Sequence, residues 1–191
     1  GQAVTIEDWI KVFEDVTKLD LSQFLLWYQQ AGTPTLSVSE SWENNFLKLS
    51  FHQEIPDTPE QCNKKPHLIP IDMGLLDKTS GEVIHSESLK VSETKEEFIF
   101  GPYSERPIPS LLRDFSAPVI LKQNINKERL AFIFKHETDN FNRWDAGRKL
   151  CENSLINTIS KGAPPDNLYL DSLNKLISDD TLDPAFRALT L

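Results

Sequence analysis

The hydrophobic period of this chain changes abruptly at Trp27-Tyr28-Gln29-Gln30-Ala31-Gly32-Thr33-Pro34. Before that stretch apolar residues recur at helical spacing; after it they alternate. Ala31-Gly32 reads as a helix end, because glycine takes the left-handed cap conformation without a Cβ clash. Thr33-Pro34 then forces an extended start, since proline cannot continue a helix and biases its predecessor toward β. The chain therefore joins two kinds of structure here, and each side has to be read with its own period.

On the N-terminal side, Thr5-Ile6-Glu7-Asp8 has the form of a capped helix start: the threonine hydroxyl can accept an orphan N–H, and acids suit the first turn. Ile6, Trp9, Ile10, Phe13 and Val16 follow as one apolar stripe. A second helix is expected from Asp20, with Gln23 in capping-box position and Leu21, Phe24, Leu25 and Tyr28 facing inward. Two short helices this apolar cannot bury both stripes against each other. Ile6, Trp9, Phe13, Phe24 and Trp27 are therefore expected to find partners, in the rest of the chain or in another copy.

From Thr35 the period is two. Leu36 and Val38 alternate with polar neighbours, Glu43-Asn44-Asn45 supplies a turn, and Leu47, Leu49 and Phe51 alternate again, which predicts a hairpin with one wet face. After a polar connection with three prolines, Ile69, Ile71, Met73 and Leu75 form the next strand, and Asp77 to Gly81 form a turn. Weaker strands are expected near Val83-Ile84, Leu89 to Val91 and Phe98 to Phe100. A last hairpin is read from Val119-Ile120-Leu121, a turn at Asn126-Lys127-Glu128, and Leu130, Phe132 and Phe134 in alternation. Seven to nine short strands in about a hundred residues, with no helix between them, predict an antiparallel β-sandwich. The cysteine pair and central tryptophan of antibody domains are missing, so the immunoglobulin-like label is architectural.

The helical period returns near Asp139. Asp139-Asn140 can cap a helix whose apolar positions include Phe141, Trp144, Gly147, Cys151, Leu155 and Ile159, ended by Gly162 and Pro164-Pro165. Asp166 opens another helix, with Leu170, Leu173 and Ile177 on one face, and Asp183-Pro184 opens a third that runs to Leu191. The fold class is thus mixed α and β: an antiparallel Ig-like β-sandwich flanked by α-helical segments at both ends.

Charge narrows the partners. The net charge of −9 is spread evenly, at −3 for each of 1–34, 35–136 and 137–191. No part offers the basic surface that nucleic acid needs. The longest apolar stretch, Phe24 to Tyr28, is far too short to span a bilayer, so neither nucleic acid nor membrane is an expected partner. Cys62 and Cys151 lie far apart in different kinds of segment and read as reduced thiols, which points to a cytoplasmic location. Gly1 in place of Met points to a start further upstream.

No catalytic constellation emerges. His136-Glu137 opens like the His-Glu-x-x-His zinc motif, but Asn140 stands where the second histidine would be, and the pair reads as a strand-to-helix corner. His52, His67 and His85 sit in or beside separate strands, without ligand spacing. Cys62 has no partner histidine, and Cys151 falls on an apolar helix face. Glycine-rich phosphate loops and nucleophile elbows are absent from the sequence. Arg143-Trp144-Asp145 reads as a junction anchor, by ion pairing and burial. Catalytic, cofactor-binding and metal residues are therefore all expected to be none.

Several stretches together resemble the bacterial aminopeptidase N group of the gluzincin metallopeptidases. They are Leu21-Ser22-Gln23-Phe24 leading into Trp27-Tyr28-x-Gln30-x-Gly32-Thr33-Pro34, and Phe115-Ser116-Ala117-Pro118-Val119. Asp139-x-Phe141-x-Arg143-Trp144-Asp145-Ala146 and Leu182-Asp183-Pro184-Ala185 complete the set. Their order and separations match as well. The resemblance implies a fragment of a larger zinc-dependent (M1 family) aminopeptidase: 1–33 as the helical tail of the catalytic domain, 34–136 as the sandwich, and 137–191 as the start of the C-terminal helical domain. The family's zinc motif, its Gly-x-Met-Glu-Asn substrate motif and its transition-state tyrosine belong upstream, so Tyr28 takes no such role. In the parent, zinc would polarise the scissile carbonyl and activate water, with a glutamate as base. The implied partners are the missing parts of the same polypeptide and, for the parent, peptide substrates. The competing expectation is a stand-alone β-sandwich that binds a peptide or glycan.

Overall fold

A computed structural model describes residues 3–190, so Gly1 and the expected helix end at Leu191 lie outside the described residues. Helix α1 spans Ile6–Thr17 and begins as the sequence suggests, with Thr5 accepting from Asp8 N and the Asp8 carboxylate accepting from Thr5 N at 3.0 Å. Helix α2 spans Ser22–Gln29. Its expected capping box is not formed: Leu21 is the N-cap without a side-chain bond, and the Gln23 amide reaches the sandwich instead.

Seven strands follow: β1 Thr35–Glu43, β2 Phe46–Glu54, β3 Ile69–Leu76, β4 Val83–Val91, β5 Lys95–Phe100, β6 Ile108–Leu111 and β7 Ile120–Gln123. They form a four-stranded sheet in the order β5-β2-β1-β7 and a three-stranded sheet in the order β4-β3-β6. The β1–β2 hairpin turns through Asn44 and Asn45, at φ 50 and 70, the left-handed pair that a two-residue hairpin turn requires. Leu36, Val38, Leu47, Leu49 and Phe51 point from this sheet onto Ile69, Ile71, Met73 and Leu75 of the other, which is the sandwich core. All pairings are antiparallel except β1–β7, which is parallel, with Thr35 opposite Ile120. The expected weak strands at 83–84 and 89–91 are the two ends of one long strand, β4.

The predicted last hairpin is wrong in its second half. Residues Lys127–His136 form helix α3, and the expected turn at Asn126 is its N-cap, accepting from Arg129 N at 2.9 Å. Leu-Ala-Phe-Ile-Phe alternates on paper, yet Leu130, Ala131, Ile133 and Phe134 also fall at helical spacing, and these are the residues buried. A short apolar run does not decide between the two periods. Helix α3 packs with α4 (Asn140–Lys161), α5 (Asn167–Ile177) and α6 (Pro184–Leu189), sharing one core with Ala146, Leu150, Leu176 and Phe186. By packing, α3 therefore sits with the helices that follow it and not with the sandwich.

Gly147 sets the closeness of α3 and α4, for a Cβ there would lie 2.5 Å from the Phe134 ring. The predicted stripe of α4 is displaced. Its buried face is Asn142, Arg143, Ala146, Gly147, Leu150 and Ser154, while Leu155 and Ile159 are exposed. Leu170 and Ile177 of α5 are also largely exposed, and Leu176 takes the core position. The N-terminal expectation splits as well: Trp27 packs on the sandwich core, but Trp9, Phe13 and Val16 stay in solvent.

Candidate functional site

The chemistry of this chain is concentrated at two seams, where the sandwich meets the helices on either side. At the first, α2 lies on the connection that precedes β3. The Trp27 indole stacks on the His67 ring, with centroids 4.4 Å apart and planes 17° apart, and its N–H donates to Leu68 O at 2.8 Å. Gln30 pairs with both backbone groups of Lys65, donating to its O at 2.9 Å and accepting from its N at 2.8 Å. Gln23 donates to Pro66 O and Ser92 O.

Beneath this contact sits Gln53, on the inward phase of β2 behind Leu47, Leu49 and Phe51. Its amide accepts from His67 N and donates to His67 O, which fixes the loop under Trp27, and donates to Glu93 O, which ties that loop to the β4–β5 turn. His67 is buried, and that burial holds its pKa below the ordinary histidine value, because the charged ring would lose its hydration.

The second seam joins β6 and the following loop to the helical part. Leu112, Asp114 and Phe115 are all left-handed, at φ 58, 53 and 53. Each non-glycine residue held there costs about 1 kcal/mol, and such strain persists only where surrounding contacts over-determine it. The contacts are present. Arg113 lies across Gly74 of β3, where a Cβ would come within 3.1 Å of its Nη1, and donates to Glu137 Oε1 at 2.9 Å and to the Thr138 hydroxyl. Asp114 N donates to Asp139 Oδ2 at 2.9 Å, while Asp139 Oδ1 caps α4 by accepting from Asn142 N. Asn142 closes the network on Ser110 Oγ and Leu111 O.

A further clasp lies on the same seam. Glu40 of β1 accepts from Arg129 of α3 at 2.6 Å and from Arg106 at 2.9 Å, and Arg129 also donates to Pro109 O. These residues line an open cleft of about 620 Å³ of mixed charge. Inside it Glu40 already pairs with both Arg106 and Arg129.

The residues weighed from the sequence fall as follows. Arg143 is buried and donates to Phe134 O and Lys135 O, so it caps the C-terminal end of α3 instead of pairing with Asp145, which binds Lys149. His136-Glu137 is a helix-to-helix corner rather than a strand-to-helix one, and Glu137 is the buried partner of Arg113. Cys62 is exposed, and Cys151 is half-buried beside Tyr169, whose phenol burial pushes up to about 12. His52, His67, His85 and His136 do not converge. Among the described residues no group of three or more histidine, cysteine or acidic side chains could hold a metal, so the residues present do not fit a zinc site.

Residues 32–124 match the family model of a domain of unknown function (DUF3458) with an Ig-like fold, and residues 127–191 match its companion (DUF3458_C) of ARM repeats. The chain is 32% identical to aminopeptidase N of Escherichia coli over 98% of its own length, and 36% identical to that of Caulobacter vibrioides over 100%. The aminopeptidase N of Haemophilus influenzae is 36% identical over 83% of it. The chain belongs to the aminopeptidase N family. A solved structure, aminopeptidase A of Legionella pneumophila in complex with aspartic acid, superposes with a TM-score of 0.85 at 32% identity, covering 99% of this chain.

The chain spans only 19–23% of the length of these aminopeptidase N relatives and 22% of the solved structure. Most of the stretches that carry the resemblance lie at or beside the seams. Ser116 pins the strained loop to β3, accepting from Asp72 N and donating to Pro70 O, and Ala117 and Val119 enter the sandwich core. Asp183 caps α6.

Gln53, Glu40 and Arg113 do not stand out in the sequence, and Glu137 stands out only within the incomplete zinc motif, not as a partner of Arg113. Gln53 alone left a signal, a polar side chain at a core phase of an alternating strand.

Proposed function

We propose that this chain is the non-catalytic middle of a zinc-dependent (M1 family) aminopeptidase that releases N-terminal amino acids from peptides in the cytoplasm. Residues 1–33 would be the tail of the catalytic domain, the sandwich a spacer, and the helices from 127 onward the opening of the C-terminal domain. The spacer would hold the helical domain over the catalytic one. The observation that carries this reading is the contiguous match to aminopeptidase N relatives over nearly the whole chain, at about a fifth of their length. Two seams dense in oriented hydrogen bonds support a part whose task is to fix neighbours in place. Unpaired Cys62 and Cys151 support a reducing compartment.

The zinc and its chemistry would lie in parts of the polypeptide outside this chain, so no catalytic step is assigned to its residues. The test pairs the purified chain with the full-length product of its gene. The full-length protein is expected to hydrolyse aminoacyl-arylamides and to hold zinc by elemental analysis; the chain alone is expected to do neither. Stoichiometric zinc on the chain, or a full-length protein without aminopeptidase turnover, would overturn the proposal.

A further inference from the structure

The first seam contains a titratable group that no reading of the function has used. His67 is 1% exposed, lies flat under Trp27, and presents Nε2 to α2 and its C-cap: Leu26 O at 3.3 Å and the Gln30 amide nitrogen at 3.1 Å. The Gln30 amide cannot turn to suit it, because both of its ends are already engaged with Lys65. A neutral ring with Nε2 bare accepts from Gln30. A protonated ring offers N–H to N–H₂ on that side and keeps only Leu26 O, a carbonyl that already accepts from Gln30 N. Nδ1 is buried and has no partner.

We propose that His67 is an acid-sensitive latch: its protonation releases α2 from the sandwich and leaves the second seam closed. The inference concerns this contact alone and does not depend on which reaction the parent catalyses.

Electrostatics around the ring favour the same direction. Lys64 and Lys65 precede it in the connection, and Lys64 opposes a second positive charge there. The α2 residues in contact with the ring, Leu26, Trp27 and Gln30, bring no charge. Beyond Gln53 lie Glu93 and Glu96 of the β4–β5 turn, and the Glu96 carboxylate is engaged with Ser92 N and Glu93 N. Burial, the largest influence, outweighs the bond to Leu26 O that favours the charged ring, and with Lys64 holds the folded-state pKa below the ordinary value of 6.5. The released ring therefore binds the proton more tightly than the docked one, so the docked state is favoured above that value and loses ground as pH falls through it. The network of Arg113, Glu137, Asp139 and Asn142 contains no histidine, and the adjoining His136, its own pKa lowered by burial, stacks on Phe132 within α3.

The experiment is hydrogen exchange of the chain by mass spectrometry at pH 7.5 and 5.5, corrected for intrinsic exchange, with His67→Gln and His67→Phe alongside. The opening constant of 22–29 is expected to rise several-fold at the lower pH, with a ceiling of about tenfold for one proton over one unit below the ordinary value. Peptides from β3 and from 137–146 should not change. Both variants should show a flat ratio for 22–29, and the glutamine variant alone suffices if the phenylalanine variant does not fold. An unchanged wild-type ratio, the same rise in the variants, or a His67 ring titrating at or above 6.5 by NMR would overturn the latch.

Discussion

Replacing Arg113 with methionine tests whether the second seam is held by charge. Glu137 is 0% exposed, and its Oε1 accepts from Arg113 at 2.9 Å and from the N–H groups of Thr138 and Asp139 at 2.6 and 2.9 Å, while Oε2 has no partner. Removing one side of a buried pair costs about 3–5 kcal/mol, because the other charge stays behind in a poor solvent. Two backbone donors remain on the carboxylate, and Arg113 itself keeps 17% exposure, so the loss belongs at about 2–3 kcal/mol. Glu137→Gln alone removes the charge but keeps an acceptor for those donors, for about 1–2 kcal/mol. In the double variant no buried charge is stranded. Its loss should fall short of the sum of the two by about 1.5 kcal/mol or more, as expected of residues in one network. Urea unfolding followed by circular dichroism measures all four corners of the cycle. An Arg113→Met variant within about 0.5 kcal/mol of the parent, or strict additivity, would refute a charge-held seam.

Gly147→Ala sets a helix-propensity gain of about 1 kcal/mol against a Cβ placed 2.5 Å from the buried Phe134 ring, which costs about 1–3 kcal/mol. The variant should be the less stable in the same assay, with Phe134→Leu recovering part of the loss; a more stable single variant would contradict the close approach. Trp27→Ala removes the stack on His67 and the bond to Leu68 O, and should raise proteolysis within 22–34 several-fold while leaving cleavage of the sandwich unchanged. Leu155→Glu with Ile159→Glu should change the unfolding free energy by no more than about 0.5 kcal/mol, because both side chains lie largely in solvent. Leu150→Ala on the opposite face should cost about 2–4 kcal/mol, and equal effects of the two changes would show that the faces of α4 have been exchanged.

What the sequence makes legible follows from how local its cause is. Caps at Thr5, Asp139, Asp166 and Asp183 depend on a few neighbouring residues, and all four form. The β1–β2 register is equally local, set by Asn44-Asn45 and by alternation. Residues 127–136 were misread because their apolar residues satisfy both periods, and the decision comes from Ala146, Leu150 and Leu176, which lie later in the chain. The parallel β1–β7 pairing likewise depends on where the strained loop after β6 delivers the chain. The seams were least legible. Arg113 meets Glu137 across 24 positions and Gln30 meets His67 across 37, and no spacing rule reaches that far. Motif resemblance pointed to the right stretches without saying what they do. The structure assigns them to caps, loop pins and cross-seam bonds.

The two seams differ in kind, and the difference orders the molecule from one end to the other. At the helical side, buried charge pairs lie among left-handed residues, an arrangement in which each group is costly alone and stable only together. Such a network resists partial opening, because losing one member strands the rest. At the α2 side most bonds are neutral amides and backbone carbonyls, many of them exposed, around a single buried imidazole, and the one charged donor, Lys64 to Ala31 O, is exposed. Contacts of that sort are lost one at a time at about 1 kcal/mol each. Helix α1 lies further out again, tied to α2 through Glu14 and Leu21 N and burying only Ile10, with Trp9, Phe13 and Val16 in solvent. Sandwich and C-terminal helices are therefore expected to open together, and α2 to open before them. That asymmetry would suit the proposed spacer, with the helical domain held by the costly network and the catalytic tail by contacts that are lost singly.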